Sequence, residues 1–394
     1  MKKDKIRAIL PLAMVLAAAI TAGCLPESLT PTKQEPVRTY SAAPPTETGE
    51  VTQPTTKTDC VLADQEQVEQ QEQQEQQEQQ EQQEQQEQND NYITIDRVSI
   101  STSLTELNLH FPWLRDEDFA PLQYMTNLEV LDLRGNFISD LSVLSGLHNL
   151  KWLDLAYNEI SDLTPLSGLV NLEELYLTCN GIDDLTPLSG LANLKVLFLA
   201  DNYITDISPL SALTKLKTLV LSSITRVDLG PLEYHTGEFP NNRISDISPL
   251  SNLTGLEDLR LIGLNLVDLT PLSELVNLKH LDLLFNSVQD ISPLSRLTNL
   301  ENLYLDYNQI TNLAILSGFN NLEELYLDNN DICSLTPLTG LYKLRVLCAV
   351  NCGISDLTPL SGLKNLVYVC LQRNPIEDWS PVAHISGVVG REQR

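Results

Sequence analysis

Leucine and isoleucine recur through this chain with two superimposed periods. Within short segments they alternate with other residues, as in Leu153-Asp154-Leu155, the spacing of a strand with one buried face. Over longer distances the whole motif returns every 22 residues. Asn136, Asn158, Asn180 and Asn202 keep that step, and Asn286, Asn308 and Asn330 resume it and lead to Asn374. Around each Asn stands L-x-x-L-x-L-x-x-N-x-I-x-D-L-x-P-L. Leu150-Lys-Trp-Leu153-Asp-Leu155-Ala-Tyr-Asn158-Glu-Ile160-Ser-Asp162-Leu163-Thr-Pro165-Leu166 is one unbroken copy.

Self-similarity at this length predicts a leucine-rich repeat solenoid of α/β type. It is a right-handed superhelix with a parallel sheet on its concave face and 3₁₀ turns or coil on its convex face. In each copy the L-x-L segment forms a short strand, and consecutive strands stack about 4.8 Å apart. The leucines turn inward into a core that no single repeat could close. The Asn amide satisfies turn groups that would otherwise be buried without partners. Asp then caps a short turn on the convex side, and a recurring Ser/Thr-Pro (Pro165, Pro187, Pro209, Pro249, Pro271, Pro293, Pro337, Pro359) favours 3₁₀ turns over long helices.

Repeats extend from about Leu104 to Val382, giving a repeat domain over 92–382 and a tail over 383–394. The register breaks once, because Asn242 follows Asn202 by too long a step for one repeat and too short a step for two. One parse joins Leu219-Val-Leu221-Ser-Ser to Asn242-Arg-Ile244 and makes 224–241 an inserted loop carrying Tyr234, His235 and Phe239. The other counts Val227–Leu232 as the back of a repeat with a shortened strand turn. The insertion leaves an intact copy on either side and is the preferred parse. Loops of this length are usually functional or disordered.

"NRISDISPLSNLTGLEDLRL" and "NEISDLTPLSGLVNLEELYL" resemble the 22-residue repeat of the internalins, bacterial surface proteins. The resemblance covers the repeat region. It implies the solenoid fold and binding to a protein partner, in some members a host receptor. The chain lacks a following β-sandwich domain, and Asn91–Ser103 does not match that family's helical cap.

A basic segment (Met1–Arg7) precedes an apolar run (Ala8–Ala19), too short to span a bilayer and followed by small residues. Ala22-Gly23-Cys24 resembles a bacterial lipoprotein lipobox. That resemblance implies a signal peptide over 1–23, a lipidated Cys24, and an exported protein anchored to the bacterial membrane or surface. The alternative is an ordinary signal peptide with a chance Cys. Residues 24–91 read as a tether. Its first part is rich in Pro, Thr, Ser and Glu, and a Glu-Gln-Gln tract from Glu66 to Glu87 follows. A three-residue charge period leaves no apolar stripe, so the tract is either a lone solvated helix or disordered.

The formal net charge is −28. Removing 1–23, which carries four basic residues against Asp4, takes it to −31. Such a charge argues against nucleic acid and against anionic lipid headgroups. No nucleophile–base pair, phosphate loop or clustered metal ligands occur, so neither enzyme activity, a cofactor nor a metal is expected. Among the seven cysteines, Cys348 and Cys370 hold one repeat position a single repeat apart. Neighbouring strands would set them at a distance compatible with a disulfide. They are either a redox or metal pair or two small side chains that coincide.

Strand alternation places the residues flanking the strand leucines on the concave face. The candidate partner-binding residues there are Trp152, Asp154, Tyr157, Tyr176, Phe198, Asp282, Phe285, Tyr304, Asp306, Tyr307, Tyr326 and Asp328. Aromatics among acids suit recognition of a protein with a basic patch, since aromatic residues dominate hot spots. Cross-strand aromatic ladders also stabilise a sheet without binding anything. Three functions follow: a lipid-anchored monomer that binds a protein through this face, an envelope structural protein without a specific ligand, or an intracellular regulator like the phosphatase-regulating members of the repeat class.

Overall fold

A computed structural model describes residues 91–95, 97–110, 113–223 and 241–390. The expected signal peptide, Cys24, almost all of the tether, the inserted loop through residue 240 and the last four residues lie outside them.

The described chain opens with an antiparallel hairpin, β1 (Tyr92–Ile95) and β2 (Val98–Ser101). Ile93, Ile95 and Ile100 bury one face of the hairpin at the end of the repeat core. A parallel sheet of 13 strands follows, each strand beside its sequence neighbour. Its strands are β3 (Glu106–Asn108), β4 (Val130–Asp132), β5 (Trp152–Asp154), β6 (Glu174–Tyr176), β7 (Val196–Phe198), β8 (Thr218–Val220), β9 (Asp258–Arg260), β10 (His280–Asp282), β11 (Asn302–Tyr304), β12 (Glu324–Tyr326), β13 (Val346–Cys348), β14 (Tyr368–Cys370) and β15 (Gly387–Val389). The sheet thus runs one strand beyond residue 382, into the stretch expected to be tail. Between β3 and β4 lies a single turn of α-helix, α1 (Asp116–Phe119), running into a 3₁₀ turn at Ala120–Tyr124. Every later return on the convex side is a 3₁₀ turn of three to five residues, such as Thr164–Leu166 and Ser208–Ala212.

The 22-residue spacing becomes a stack because the same side chain meets its own copy in the next repeat. Leu153, Leu175, Leu197 and Leu219 are each fully buried on successive strands. Replacing one by Ala would cost about 2–5 kcal/mol. The Asn side chains cross-link the turns. Asn202 accepts from Ile182 N at 3.1 Å and donates to Leu177 O and Leu199 O at 3.0 and 3.2 Å. On the convex side Asp162 Oδ1 accepts from Thr164 N at 2.8 Å, and Asp184, Asp206, Asp246 and Asp268 repeat the bond. A second asparagine ladder was not foreseen. Asn171 donates to His148 O, Asn193 to Val170 O and Asn277 to Thr254 O, all at 2.8 Å.

Across the register break the flanking repeats stay adjacent. β8 pairs directly with β9, and Asn242 supplies the missing ladder side chain, donating to Leu199 O and Leu221 O. Its bond from Ile204 N spans 38 residues where the same bond elsewhere spans 20, and the difference of 18 is the length of the insertion.

Candidate functional site

The strands' first and third residues point away from the leucine core and form columns on the open sheet face. Where consecutive strands carry rings, the rings pack on one another. Trp152, Tyr176 and Phe198 make one ladder, with centroids 5.4 and 5.0 Å apart. His280, Tyr304 and Tyr326 make a second, at 5.1 and 4.6 Å, the two tyrosines being parallel within 8°. Val220 and Arg260 lie between the ladders. The ladder rings are half-buried.

Two glutamates fix the phenols. Tyr176 Oη donates to Glu174 at 2.8 Å and Tyr304 Oη to Glu324 at 3.2 Å. Burial first, and then the neighbouring carboxylates, push both phenols far above their ordinary range, so they stay protonated donors. Asp258 grips Arg260 through Nε and Nη2 at 3.1 and 2.9 Å. Burial pulls His280 down to about 4, so its ring is neutral at physiological pH and stacks as an aromatic.

A second row stands where the strands turn into the ladder asparagines. The residue just before the ladder Asn is left-handed ahead of Asn136, Asn158, Asn180, Asn202, Asn286, Asn308, Asn330 and Asn374. It is Gly135 in one repeat, but Tyr157 (φ 59°), Phe285 (φ 56°) and Tyr307 (φ 54°) in others. Bulky residues there are genuine outliers. Phe285 and Tyr307 stack at 4.2 Å, and Arg134 lies over the Tyr157 ring at 5.0 Å. Tyr157 and Tyr307 remain 45% and 47% exposed. Backbone strain that brings a ring into solvent is the feature that periodicity alone did not reveal. Gly135 in the equivalent slot was the available signal.

The acids behave differently from expectation. Asp154 and Asp306 are only 8% and 7% exposed, so they are not freely offered on the face. They turn back to the main chain, Asp154 Oδ1 accepting from Ala156 N at 2.9 Å and Asp306 Oδ1 from Asp328 N at 2.8 Å. Asp282 and Asp328 do the same for Leu284 N and Val350 N, although they keep some exposure. Strand ends leave N–H groups in need of acceptors, and a short carboxylate two residues back, or one repeat back, supplies them. Burial raises Asp154 and Asp282 to about 6, and burial and the Asp328 charge raise Asp306 well above the ordinary range. Glu174, Glu324 and Asp258 stand among the rings with the same partial exposure as Asp282 and Asp328.

Beside the second ladder, a shallow polar depression is lined by Gln289, Gln309, Thr311, Asn329, Asp331 and Asn351. Its amides are mutually engaged, Gln289 donating to Gln309 and Asn351 to Asn329. Among the described residues no group of three or more His, Cys, Asp or Glu side chains could hold a metal ion, and no helix is long and apolar enough to cross a membrane.

Two family models match the sequence. "Leucine Rich repeats (2 copies)" matches residues 148–190, 192–234, 276–318, 298–340 and 342–384, and "Leucine rich repeat" matches residues 102–160. No curated protein matches the chain significantly. Among solved structures, an internalin (inlF) of Listeria monocytogenes is similar at 28% identity and a TM-score of 0.63, covering 76% of this chain and 91% of its own. A leucine-rich repeat protein of Leptospira interrogans is similar at 27% identity and a TM-score of 0.63, with 72% of each chain covered. A plant peptide hormone receptor in complex with RGF2 shares the fold at 18% identity and a TM-score of 0.53, over 73% of this chain and 52% of its own. The repeated strands, asparagine ladders and 3₁₀ returns thus identify this chain as a member of the leucine-rich repeat proteins, of internalin-like build.

Proposed function

We propose that the protein is a lipid-anchored recognition module that binds a protein partner through its sheet face. Leucine-rich repeats generally mediate protein–protein interaction, and both the plant receptor and the internalin display a comparable parallel sheet. The observation that carries the reading is the pair of aromatic ladders flanked by rings in left-handed turns. Tyr157 and Tyr307 hold half-exposed rings in the left-handed slot that Gly135, Cys179 and Asp201 occupy in other repeats. Rings of limited rotamer freedom with polar tips are what an interface uses as anchors.

The partner's complementary surface carries basic groups. Glu174, Glu324 and Asp258 stand beside the rings, and the chain's charge of −28 favours encounter with a positive patch. Attachment through Cys24 places the module on the bacterial membrane or surface, with 24–91 as its tether. The protein acts as a monomer without a cofactor or catalytic step.

The test is capture from envelope and host-cell extracts with the full chain, beside a Trp152→Ala/Tyr176→Ala variant and a Tyr304→Ala/Tyr326→Ala variant. A protein retained by the wild type and lost with either variant supports the reading. Capture that both variants leave intact contradicts it. Incorporation of labelled palmitate that disappears in Cys24→Ala tests the anchor separately.

A further inference from the structure

Where the second ladder ends, the column continues in sulfur. Cys348 on β13 and Cys370 on β14 are register partners and follow Tyr326 on the same face. Their Sγ atoms lie 2.7 Å apart, with the Cys348 thiol donating to the Cys370 sulfur. Equivalent strand positions elsewhere carry rings, carboxylates, Val220, Arg260 or Asn108. The other described cysteines are differently employed. Cys352 turns into the core and donates to Leu327 O at 3.0 Å, Cys179 meets Asp201, and Cys333 meets Asp331. Cys348 and Cys370 are 6% and 9% exposed, and Tyr368, two residues before Cys370 on β14, is 43% exposed.

We propose that Cys348 and Cys370 form a reversible dithiol–disulfide site that is closed by exchange with a small-molecule disulfide. Direct register on adjacent parallel strands gives the Cα separation that a disulfide needs. The two thiols are inequivalent. The hydrogen bond from Cys348 lowers Cys370, while the same bond and burial push Cys348 up. Cys370 is therefore the attacking thiolate and Cys348 the resolving group.

In the first step the Cys370 thiolate attacks one sulfur of the reagent. The reagent's S–S bond breaks, one thiolate leaves, and a mixed disulfide forms on Cys370. In the second step Cys348 gives up its proton to the departing thiolate and attacks Cys370 Sγ. The mixed S–S bond breaks, the second thiol leaves, and the Cys348–Cys370 bond forms. Two protein thiols are oxidised, and one small disulfide is reduced to two thiols. A reducing thiol runs the sequence backward. Closure ties two neighbouring repeats near the C-terminal end of the sheet, where a stack held by nearest-neighbour contacts opens first.

The experiment is incubation of the folded full chain with oxidised glutathione, alkylation of the remaining thiols, and digestion with trypsin without reduction. Residues 346–364 carry Cys348 and Cys352, and residues 365–373 carry Cys370. The expected product is these two peptides joined, two hydrogens lighter than their sum and separated again by dithiothreitol. Cys352→Ala retains the link. Cys348→Ser loses it and keeps glutathione on Cys370. The oxidised chain unfolds at higher urea than the reduced chain, and the shift disappears in Cys348→Ser. Full alkylation of both cysteines in the folded protein, a link through Cys352, a glutathione adduct that never closes, or a link that forms only in urea would each overturn the proposal.

Discussion

Asn202 is fully buried, and one side chain satisfies a neighbouring N–H and two carbonyls. Replacing it by Ala strands all three, which costs about 3 kcal/mol in unfolding free energy. A urea midpoint unchanged within error would show that water replaces the ladder. The left-handed turns make a second prediction at this scale. Arg373 (φ 57°) is exposed, and Arg373→Gly relieves the backbone by about 1 kcal/mol and raises the midpoint. Tyr307→Gly relieves similar strain but loses the stack on Phe285, so its stability changes little while partner binding falls. A clear gain in stability for Tyr307→Gly would mean that its ring contributes nothing to the fold.

Buried carboxylates give the molecule a pH dependence that can be assigned to single residues. Asp154 takes up its proton at about 6 in the folded state against an ordinary value of 3.8. Between those values the folded chain binds more protons, so this group stabilises the fold as pH drops from 7 toward 4. His280, lowered to about 4, acts in the opposite sense between 6.5 and 4. The wild type and Asp154→Asn share the His280 contribution. Their difference therefore isolates Asp154, and from pH 7 to pH 5 the variant should gain about 1 kcal/mol less than the wild type. Parallel pH profiles would contradict the burial of this carboxylate. The capping aspartates, such as Asp162 and Asp268, are lowered by their turn hydrogen bonds, and what they contribute is lost only below the ordinary carboxylate range.

At the scale of the element, strand spacing, inward leucines, ladder Asn and 3₁₀ returns were all legible, because each follows from a side chain recurring at one step. The unbroken copies on the two sides of the register break lie side by side, β8 pairing with β9. The orientation of the acids was not. Periodicity says which side of a strand a residue leaves from, and it cannot say that Asp306 bends back to serve Asp328 N in the next repeat. The second asparagine ladder was visible in retrospect as the Asn that precedes a core Leu in copy after copy. Because the sheet closes without 224–241, deleting those residues restores a 22-residue repeat. The deletion variant should unfold within about 1 kcal/mol of the wild type, far less than a core Leu→Ala loss. Failure of the deletion variant to fold would make the insertion part of the repeat core.

For the whole molecule, each repeat contributes the same scaffold and a different pair of outward residues, so identity on this face is written by position along the stack. The rings cluster in two ladders, and carboxylates with Arg260 occupy the space around and between them. If a basic partner is steered to this surface, association slows and affinity falls with rising ionic strength. The most direct measurement is a binding isotherm of the captured partner on the wild type, on Tyr304→Ala/Tyr326→Ala, and on Tyr342→Ala, which removes an exposed tyrosine that belongs to no strand. The ladder variant should lose at least roughly tenfold in affinity, about 1.4 kcal/mol, and Tyr342→Ala should bind as the wild type does. Equal affinity for all three would contradict recognition through the ladders.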